Sequence, residues 1–266
     1  MAPLSWLLLL AVLATATDAP RARFSSLPVP DFSASLVRLP EGQEKAPVIV
    51  VTHGAGGSAE QHCDLWSRIV GERAILLCVR GRARGPNPVD GEYYPDHLAL
   101  ERETFAALSA LRAAYAERIA EGGVYYAGFS QGATMGALML VEHAAEVKRL
   151  ALVEGGVKEW SVARARAFRE RGGERVLFVC GQKDCADAAR KSAYWFKLAG
   201  VPARLEYVAG AGHSHDARVA ARVIGALPWL TARSCIAFFG HRRQADFAPS
   251  QRAAIWFNEP DERFRG

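Results

Sequence analysis

The residue pattern most suggestive of chemistry lies near the middle of the chain. Residues 128–132 read Gly-Phe-Ser-Gln-Gly, which matches the G-x-S-x-G pattern of a nucleophile held on a tight turn. Flanking glycines allow such a turn to lift the serine hydroxyl out of a sheet and to place it at a helix N-terminus. Because a helix N-terminus favours developing negative charge, we predict that Ser130 is a nucleophile.

A histidine suited to general-base catalysis follows further along the chain. Residues 210–215 read Gly-Ala-Gly-His-Ser-His, between the last predicted strand and the last predicted helix. His213 and His215 are both candidates, and we favour His213 because it comes first after the glycine turn. In this interpretation His213 takes the proton of Ser130 as the hydroxyl attacks a carbonyl carbon.

Several carboxylates could orient the histidine and stabilise its cationic form. Asp184 follows the predicted strand that ends at Cys180, which is the expected place for such an acid. Asp187 lies close behind it, and Glu154 follows the preceding predicted strand. We predict Asp184 as the acid and keep Glu154 and Asp187 as alternatives.

A glycine-rich turn directly follows a predicted buried strand. Residues 53–57 read His-Gly-Ala-Gly-Gly, and such a turn can aim backbone N–H groups at a carbonyl oxygen. We predict an oxyanion hole formed by the N–H groups of Ala55 and Gln131, the latter being the residue after the nucleophile. This chemistry needs no metal and no cofactor, and we predict none. The cysteines form no C-x-x-C metal motif.

The elements that must position these residues alternate between short apolar runs and longer helical patterns. Strands are predicted over residues 48–51, 74–79, 124–127, 150–153, 176–179 and 205–208, with an outer antiparallel strand over 35–39. Helices are predicted over residues 97–120, 132–143, 186–198 and 216–227, the last stopped by Pro228. This alternation predicts an α/β fold with a mostly parallel sheet and helices on both faces. The carboxyl ends of the strands then meet at one edge, where sites form.

The order Ser130, Asp184, His213 resembles that of the α/β-hydrolase superfamily. Residues 128–132, together with His53 and Gly54, resemble the phospholipase/carboxylesterase and dienelactone-hydrolase-like branches. The resemblance covers roughly residues 35–230. It implies the α/β-hydrolase fold, a Ser-His-acid mechanism with an acyl-enzyme intermediate, and carboxylic ester or thioester substrates.

The short segment between Val153 and Val176 leaves no room for a substantial lid domain, so we expect an open site for small or surface-presented esters. Two other functions fit the same pattern. One is a peptidase or polyester depolymerase with the same triad. The other is a non-catalytic hydrolase-like binding protein, which the presence of both Ser130 and His213 disfavours.

The composition and the apolar N-terminal stretch predict the class of protein and its relation to nucleic acids and membranes. The chain has 266 residues, 50% hydrophobic and 23% charged, with a net charge of +5. This balance is typical of a globular protein, and the scattered basic residues disfavour nucleic-acid binding. Residues 4–16 are apolar but too few to span a bilayer, which predicts no stable membrane insertion. The sequence does not predict an oligomeric state.

Small residues after the apolar stretch predict a signal peptide over residues 1–19, cleaved after Ala16 or Ala19, and therefore export to the periplasm or the medium. An irregular lead-in over residues 20–34, a catalytic domain over 35–230 and a C-terminal extension over 231–266 follow. Because an exported chain meets oxidising conditions, we also predict a disulfide between Cys180 and Cys185.

Overall fold

The computed structural model describes residues 24–232. The predicted signal peptide and nearly all of the predicted extension lie outside the described residues. The strands are β1 (Ser25–Leu27), β2 (Ser35–Arg38), β3 (Ala46–Thr52), β4 (Ile75–Cys78), β5 (Arg82–Ala83), β6 (Glu92–Tyr93), β7 (Ile119–Phe129), β8 (Val147–Val153), β9 (Arg175–Cys180) and β10 (Ala203–Tyr207). The α-helices are α1 (Ala59–Val70), α2 (His97–Tyr115), α3 (Gln131–Met139), α4 (Val162–Glu170), α5 (Lys183–Ala199) and α6 (Ala217–Thr231).

One eight-stranded sheet organises the domain, in the order β1-β2-β4-β3-β7-β8-β9-β10. Strands β4 to β10 in this order pair in parallel, while β1 and β2 add an antiparallel edge. Strands β5 and β6 form a separate two-stranded hairpin. The mostly parallel sheet that the alternating pattern predicts is therefore present, as is the antiparallel outer strand.

Both faces of the sheet are covered, which explains why its central strands are so apolar. Val48 and Val50 of β3 belong to the core that α2, α3, α4 and α5 cover. Ile49 and Val51 point to the opposite face and belong to the core beneath α1 and α6. The alternation along one strand thus divides its side chains between the two cores.

Polar side chains mark where several helices begin. Ser58 accepts a hydrogen bond from the Gln61 N–H at the start of α1, and Asp96 accepts one from the Ala99 N–H at the start of α2. Asp216 accepts from two N–H groups in the first turn of α6. Each cap satisfies backbone donors that the helix itself leaves unbonded.

The structure differs from the sequence-based elements at several places. Helices α1 and α4 and the β5–β6 hairpin were not predicted, and β1 lies inside the lead-in expected to be irregular. The predicted stop at Pro228 is wrong, because α6 contains this proline and continues to Thr231. Leu230 is buried in the core beyond it, and the Ala232 N–H donates to Pro228 O at 3.0 Å. Burial of this last turn outweighs the poor helix propensity of proline.

Two disulfides tie helices to strands in the described residues. Cys180 at the end of β9 is bonded to Cys185 in the first turn of α5, as the sequence predicts. Cys63 in α1 is bonded to Cys78 at the end of β4, a pairing that the sequence did not indicate. Among residues 24–232, no helix is both long and apolar enough to cross a membrane.

Two glycines in helices test how tightly α3 packs on the sheet. A Cβ added at Gly136 in α3 would lie 2.3 Å from Tyr126 Cε1, whereas one added at Gly225 in α6 would meet nothing within 4 Å. Gly136→Ala should lower the free energy of unfolding by about 1–3 kcal/mol through overpacking. Gly225→Ala should raise it by up to about 1 kcal/mol, since alanine is the better helix former. Urea unfolding of both variants checks this; equal shifts would contradict it.

Candidate active site

Ser130 lies on a strained turn between β7 and α3. Its φ of 50° and ψ of −110° are unusual for a residue with a side chain. The Ser130 N–H donates to Val153 O of the neighbouring β8 at 2.9 Å, which holds the turn at the carboxyl edge of the sheet. Because α3 begins at the next residue, the Ser130 hydroxyl lies at a helix N-terminus.

The flanking glycines are required by close backbone approach. A Cβ at Gly128 would lie 2.6 Å from Ala133 N, and one at Gly132 would lie 2.5 Å from Thr52 Oγ1. Either contact would push α3 away from the sheet and displace Ser130. The glycines of the motif are therefore required because the helix folds back closely over the strand.

Two consecutive buried hydrogen bonds support the turn that carries Ser130. Thr52 Oγ1 donates to Tyr126 OH at 2.7 Å, and Tyr126 OH donates to Gly132 O at 2.7 Å. Both side chains are buried, and burial raises the pKa of the Tyr126 phenol well above its ordinary value, so the phenol remains a donor. This support was not predicted, because nothing in the sequence distinguishes Tyr126 from other aromatic core residues.

His213 is the histidine that contacts Ser130. Its Nε2 lies 2.8 Å from Ser130 Oγ, and its side chain is 44% exposed. His215, the alternative, instead packs against Phe129 with ring centroids 4.6 Å apart. The structure therefore places His213, as predicted from the sequence, within hydrogen-bond distance of Ser130.

Behind the turn lies a second pair of imidazoles. The rings of His62 and His215 have centroids 4.8 Å apart, and both lie against Phe129. Burial lowers the pKa of His62 to about 3 and also lowers the pKa of His215. The wall behind the nucleophile is therefore uncharged at neutral pH.

Glu154 is the carboxylate that faces His213. Its Oε2 lies 3.6 Å from His213 Nδ1, and its side chain has 0% exposure. Its Oε1 accepts a hydrogen bond from the Gly181 N–H. Burial raises the pKa of this carboxyl, and the Gly181 N–H and the nearby His213 oppose that rise. A separation of 3.6 Å is long for a hydrogen bond, yet such contacts often shorten only when substrate binds.

Asp184, the acid predicted from the sequence, does not lie in this arrangement. It is exposed in the first turn of α5, which begins at Lys183. Asp187 is also exposed and pairs with Lys183 and Arg190. The correction to Glu154 has a topological reason. Strand β8 pairs directly with β7, whereas β9 lies one strand further from the nucleophile.

The glycine-rich turn after β3 packs directly on the nucleophile. A Cβ at Gly54 would lie 3.1 Å from Ser130 Cβ. The Gly56 N–H donates to Glu92 O at 2.8 Å and the Gly57 N–H donates to Gly54 O at 3.0 Å, so both donors are occupied. Ala55, between Gly54 and Gly56, is exposed, and Gln131 N–H, in the first position of α3, has no acceptor within its own helix. Both predicted oxyanion donors thus lie beside Ser130.

The turn and its surroundings are held by Glu92, which the sequence analysis missed, and by the side chain of Gln131, for which it predicted only a backbone role. Glu92 exchanges backbone hydrogen bonds with Gly56 and Gly57, and its carboxylate accepts from the Ala59 N–H and pairs with Arg80. The Gln131 side chain makes two hydrogen bonds to the backbone of Tyr94, at 3.0 and 3.1 Å.

The His53 ring is buried beside this turn, with its nitrogens 2.8 Å from Gly54 O and 2.7 Å from Arg80 O. These contacts give His53 a structural position. Its motif neighbours, rather than its own imidazole, face Ser130.

The comparisons with known proteins agree with this architecture. No protein-family model matches the sequence, and no curated protein does either. Among solved structures, TT1662 from Thermus thermophilus is similar, with a TM-score of 0.60 and 18% identity over 80% of this chain and 100% of that one. Esterase PE8 gives 0.57 and 18% over 73% and 97% of the two chains. Est1E from Butyrivibrio proteoclasticus gives 0.57 and 14% over 79% and 99%.

At sequence identities of 14% and 18%, the similarity to these structures shows a shared fold. The eight-stranded, mostly parallel sheet with helices on both faces is the fold shared with these structures, of which PE8 is titled an esterase. This confirms the fold that the order of the motifs predicts. The chain therefore has the α/β-hydrolase fold.

Proposed function

We propose that the protein is a serine hydrolase that cleaves carboxylic ester or thioester bonds through an acyl-enzyme intermediate. The observation that carries the proposal is the 2.8 Å contact between Ser130 Oγ and His213 Nε2, with the buried Glu154 carboxylate on the far side of the imidazole. We refer to Ser130, His213 and Glu154 as the triad. Nucleophile, base and orienting acid in this order are what acyl transfer requires.

In the acylation step, His213 Nε2 accepts the hydroxyl proton while Ser130 Oγ attacks the acyl carbon. The negative charge that develops on the carbonyl oxygen is stabilised by the N–H groups of Ala55 and Gln131 and by the N-terminus of α3. Glu154 stabilises the imidazolium formed on His213. The imidazolium then gives its proton to the leaving alcohol or thiol, and the acyl group remains on Ser130.

In the deacylation step, His213 removes a proton from water, and the resulting hydroxide attacks the acyl carbon of the acyl-enzyme. Collapse of this second tetrahedral intermediate breaks the bond to Ser130 Oγ, which takes the proton back from His213. The carboxylic acid leaves and the triad is restored. Every proton transfer uses the same imidazole nitrogen, which is why a single histidine suffices.

The proposed substrates are small or surface-presented esters. His213 is 44% exposed and Ala55 is exposed, so a carbonyl group can approach from solvent. The connection between β8 and β9 contains the short helix α4, and it adds no separate lid domain. The same geometry also fits amide or polyester substrates, and a panel of p-nitrophenyl esters of increasing acyl length orders these possibilities.

Removal of the nucleophile tests the proposal directly. Ser130→Ala should abolish both ester hydrolysis and labelling by a fluorophosphonate probe, with a loss in kcat on the order of a million-fold. His213→Ala should cost nearly as much, because the two residues act as one unit. Ser26→Ala, an exposed serine on the edge strand β1, is the matched control and should keep full activity. Full activity in Ser130→Ala on every ester would reject the proposed function.

The acid assignment has its own paired test. Glu154→Gln should lower kcat/KM by about ten-thousand-fold, because a neutral amide neither stabilises the imidazolium nor holds the required tautomer. Asp184→Asn removes an exposed carboxylate of the same charge at the start of α5 and should leave kcat/KM almost unchanged. Steady-state kinetics on one ester compares the two variants. The reverse ranking would return the role of acid to Asp184.

We also propose that the enzyme acts after export. Two disulfides among the described residues are typical of an oxidising compartment, and they support the prediction from the apolar N-terminal stretch. Terminal sequencing of the protein from its host should show a chain that begins at residue 17 or 20. A cytosolic chain that retains Met1 would contradict export without affecting the chemistry.

A further inference from the structure

The Cys180–Cys185 disulfide closes a small ring next to the buried Glu154 carboxylate. Cys180 is the last residue of β9, and Cys185 lies in the first turn of α5, 5 positions later. Residues 181–184 are therefore held between a strand end and a helix start. Cys180 is fully buried in the core, which anchors one side of the ring.

This ring supplies the backbone donor that binds the acid of the triad. The Gly181 N–H donates to Glu154 Oε1, while the other carboxylate oxygen faces His213 Nδ1 at 3.6 Å. The direction of the carboxylate is thus set from one side by the N–H of Gly181, with a further contribution from the backbone N–H of Gln182 in the same ring. A shift of the Gly181 N–H would rotate the carboxylate relative to the imidazole.

The same glycine also touches the loop that carries the general base. A Cβ at Gly181 would lie 2.3 Å from Gly212 O and 2.8 Å from Ala211 Cβ. Gly212 directly precedes His213, so the Gly181 backbone lies between the acid and the loop of the base. Movement of residues 181–184 would therefore reach two members of the triad.

The start of α5 has no side-chain cap, although Lys183 pairs with Asp187 within the helix. Gln182 is its N-cap residue, and its side chain makes no capping hydrogen bond, in contrast to Ser58, Asp96 and Asp216 at other helices. An uncapped first turn frays more readily. The covalent link from Cys185 to Cys180 replaces this missing restraint.

We propose that the Cys180–Cys185 disulfide is a positioning element of the triad, which holds the Gly181 N–H on Glu154 and so keeps the carboxylate directed at His213. This inference rests on the proposed function, because it concerns the acid of the same triad. The disulfide makes no contact with substrate in this role. It acts through Glu154.

The proposed role of the disulfide predicts a change in the pKa of Glu154 that a pH profile can measure. Burial raises the pKa of the carboxyl, and the Gly181 N–H lowers it again. The titratable group that faces Glu154 is His213, while Lys183 and Asp184 at the start of α5 are exposed. A weaker N–H contact should raise the Glu154 pKa further, so the carboxylate would take up its proton at a higher pH. The acidic limb of kcat/KM should then move to higher pH.

A double-mutant cycle tests the coupling. Cys185→Ala opens the disulfide while leaving Cys180 in the core, and it is combined with Glu154→Gln. Opening the bond in the otherwise unchanged enzyme should lower kcat/KM by on the order of ten- to a hundred-fold, since small misplacements in a triad have costs of this size. In the Glu154→Gln background the same change should cost less than about two-fold, because the carboxylate is already gone.

Cys63→Ala is the matched control, because it opens the other disulfide, between α1 and β4. It should lower the melting temperature, leave the acidic limb unchanged, and have equal effects on kcat/KM with and without Glu154→Gln. Equal losses for Cys185→Ala in both backgrounds, or no loss in a folded Cys185→Ala protein, would overturn the inference. Circular dichroism establishes folding, and Cys180→Ser/Cys185→Ser replaces the single variant if that one does not fold.

The rate of fluorophosphonate labelling is measured in the same cycle, because it reports the activated Ser130 without depending on the choice of ester. Labelled wild-type enzyme with a non-additive cycle supports the inference even if no ester is cleaved. An active wild type with an additive cycle overturns the inference and leaves the proposed function intact. A wild type that is neither labelled nor active on esters overturns both.

Discussion

Backbone hydrogen bonds between parallel strands continue past the strand ends at the carboxyl edge of the sheet. The Ser130 N–H bonds to Val153 O, and the Glu154 N–H bonds to Val179 O, each at 2.9 Å. These bonds fix the two turns that follow adjacent strands, so Ser130 after β7 and Glu154 after β8 are placed next to each other by the pairing itself. The loop that carries His213 then crosses only these two turns, and its imidazole lies beside both Ser130 and Glu154. The site depends on this register more than on any single side-chain contact.

The same edge stores backbone strain. Ser130 and Glu154 both have positive φ values, 50° and 53°, although neither is glycine. Each such conformation costs about 1–3 kcal/mol and persists only where surrounding structure determines it. Here the surroundings are the cores on both faces of the sheet and the buried chain from Thr52 through Tyr126 to Gly132. A well-packed interior therefore maintains two strained residues at consecutive strand ends, and both belong to the proposed triad.

Sequence reasoning identified the parts of this arrangement that local pattern encodes. Runs of β-branched residues predict buried strands, and the tight turn around Ser130 requires glycines. Both features can therefore be recognised in the sequence. Glycines before His213 likewise mark a loop between a strand and a helix. No local sequence pattern distinguishes the carboxylate that faces His213 from the other candidates. Choosing between Glu154 and Asp184 requires knowing that β8 adjoins β7 and that α5 begins at Lys183. Both facts depend on contacts distant in the chain, as does the continuation of α6 through Pro228.

The contrast in exposure between His213 and Glu154 has a consequence for turnover. The imidazole is nearly half exposed, whereas the carboxylate behind it is fully enclosed. In the proposed mechanism, water that attacks an acyl group on Ser130 would thus arrive from bulk solvent beside the imidazole, with no segment of residues 24–232 closing over it. Gated enzymes often release product at the rate of a loop motion. If residues 24–232 form the whole surroundings of the proposed site, solvent viscosity would slow turnover only through diffusion of substrate and product, while the rates of the bond-making steps would be set by the chemistry at the strand ends.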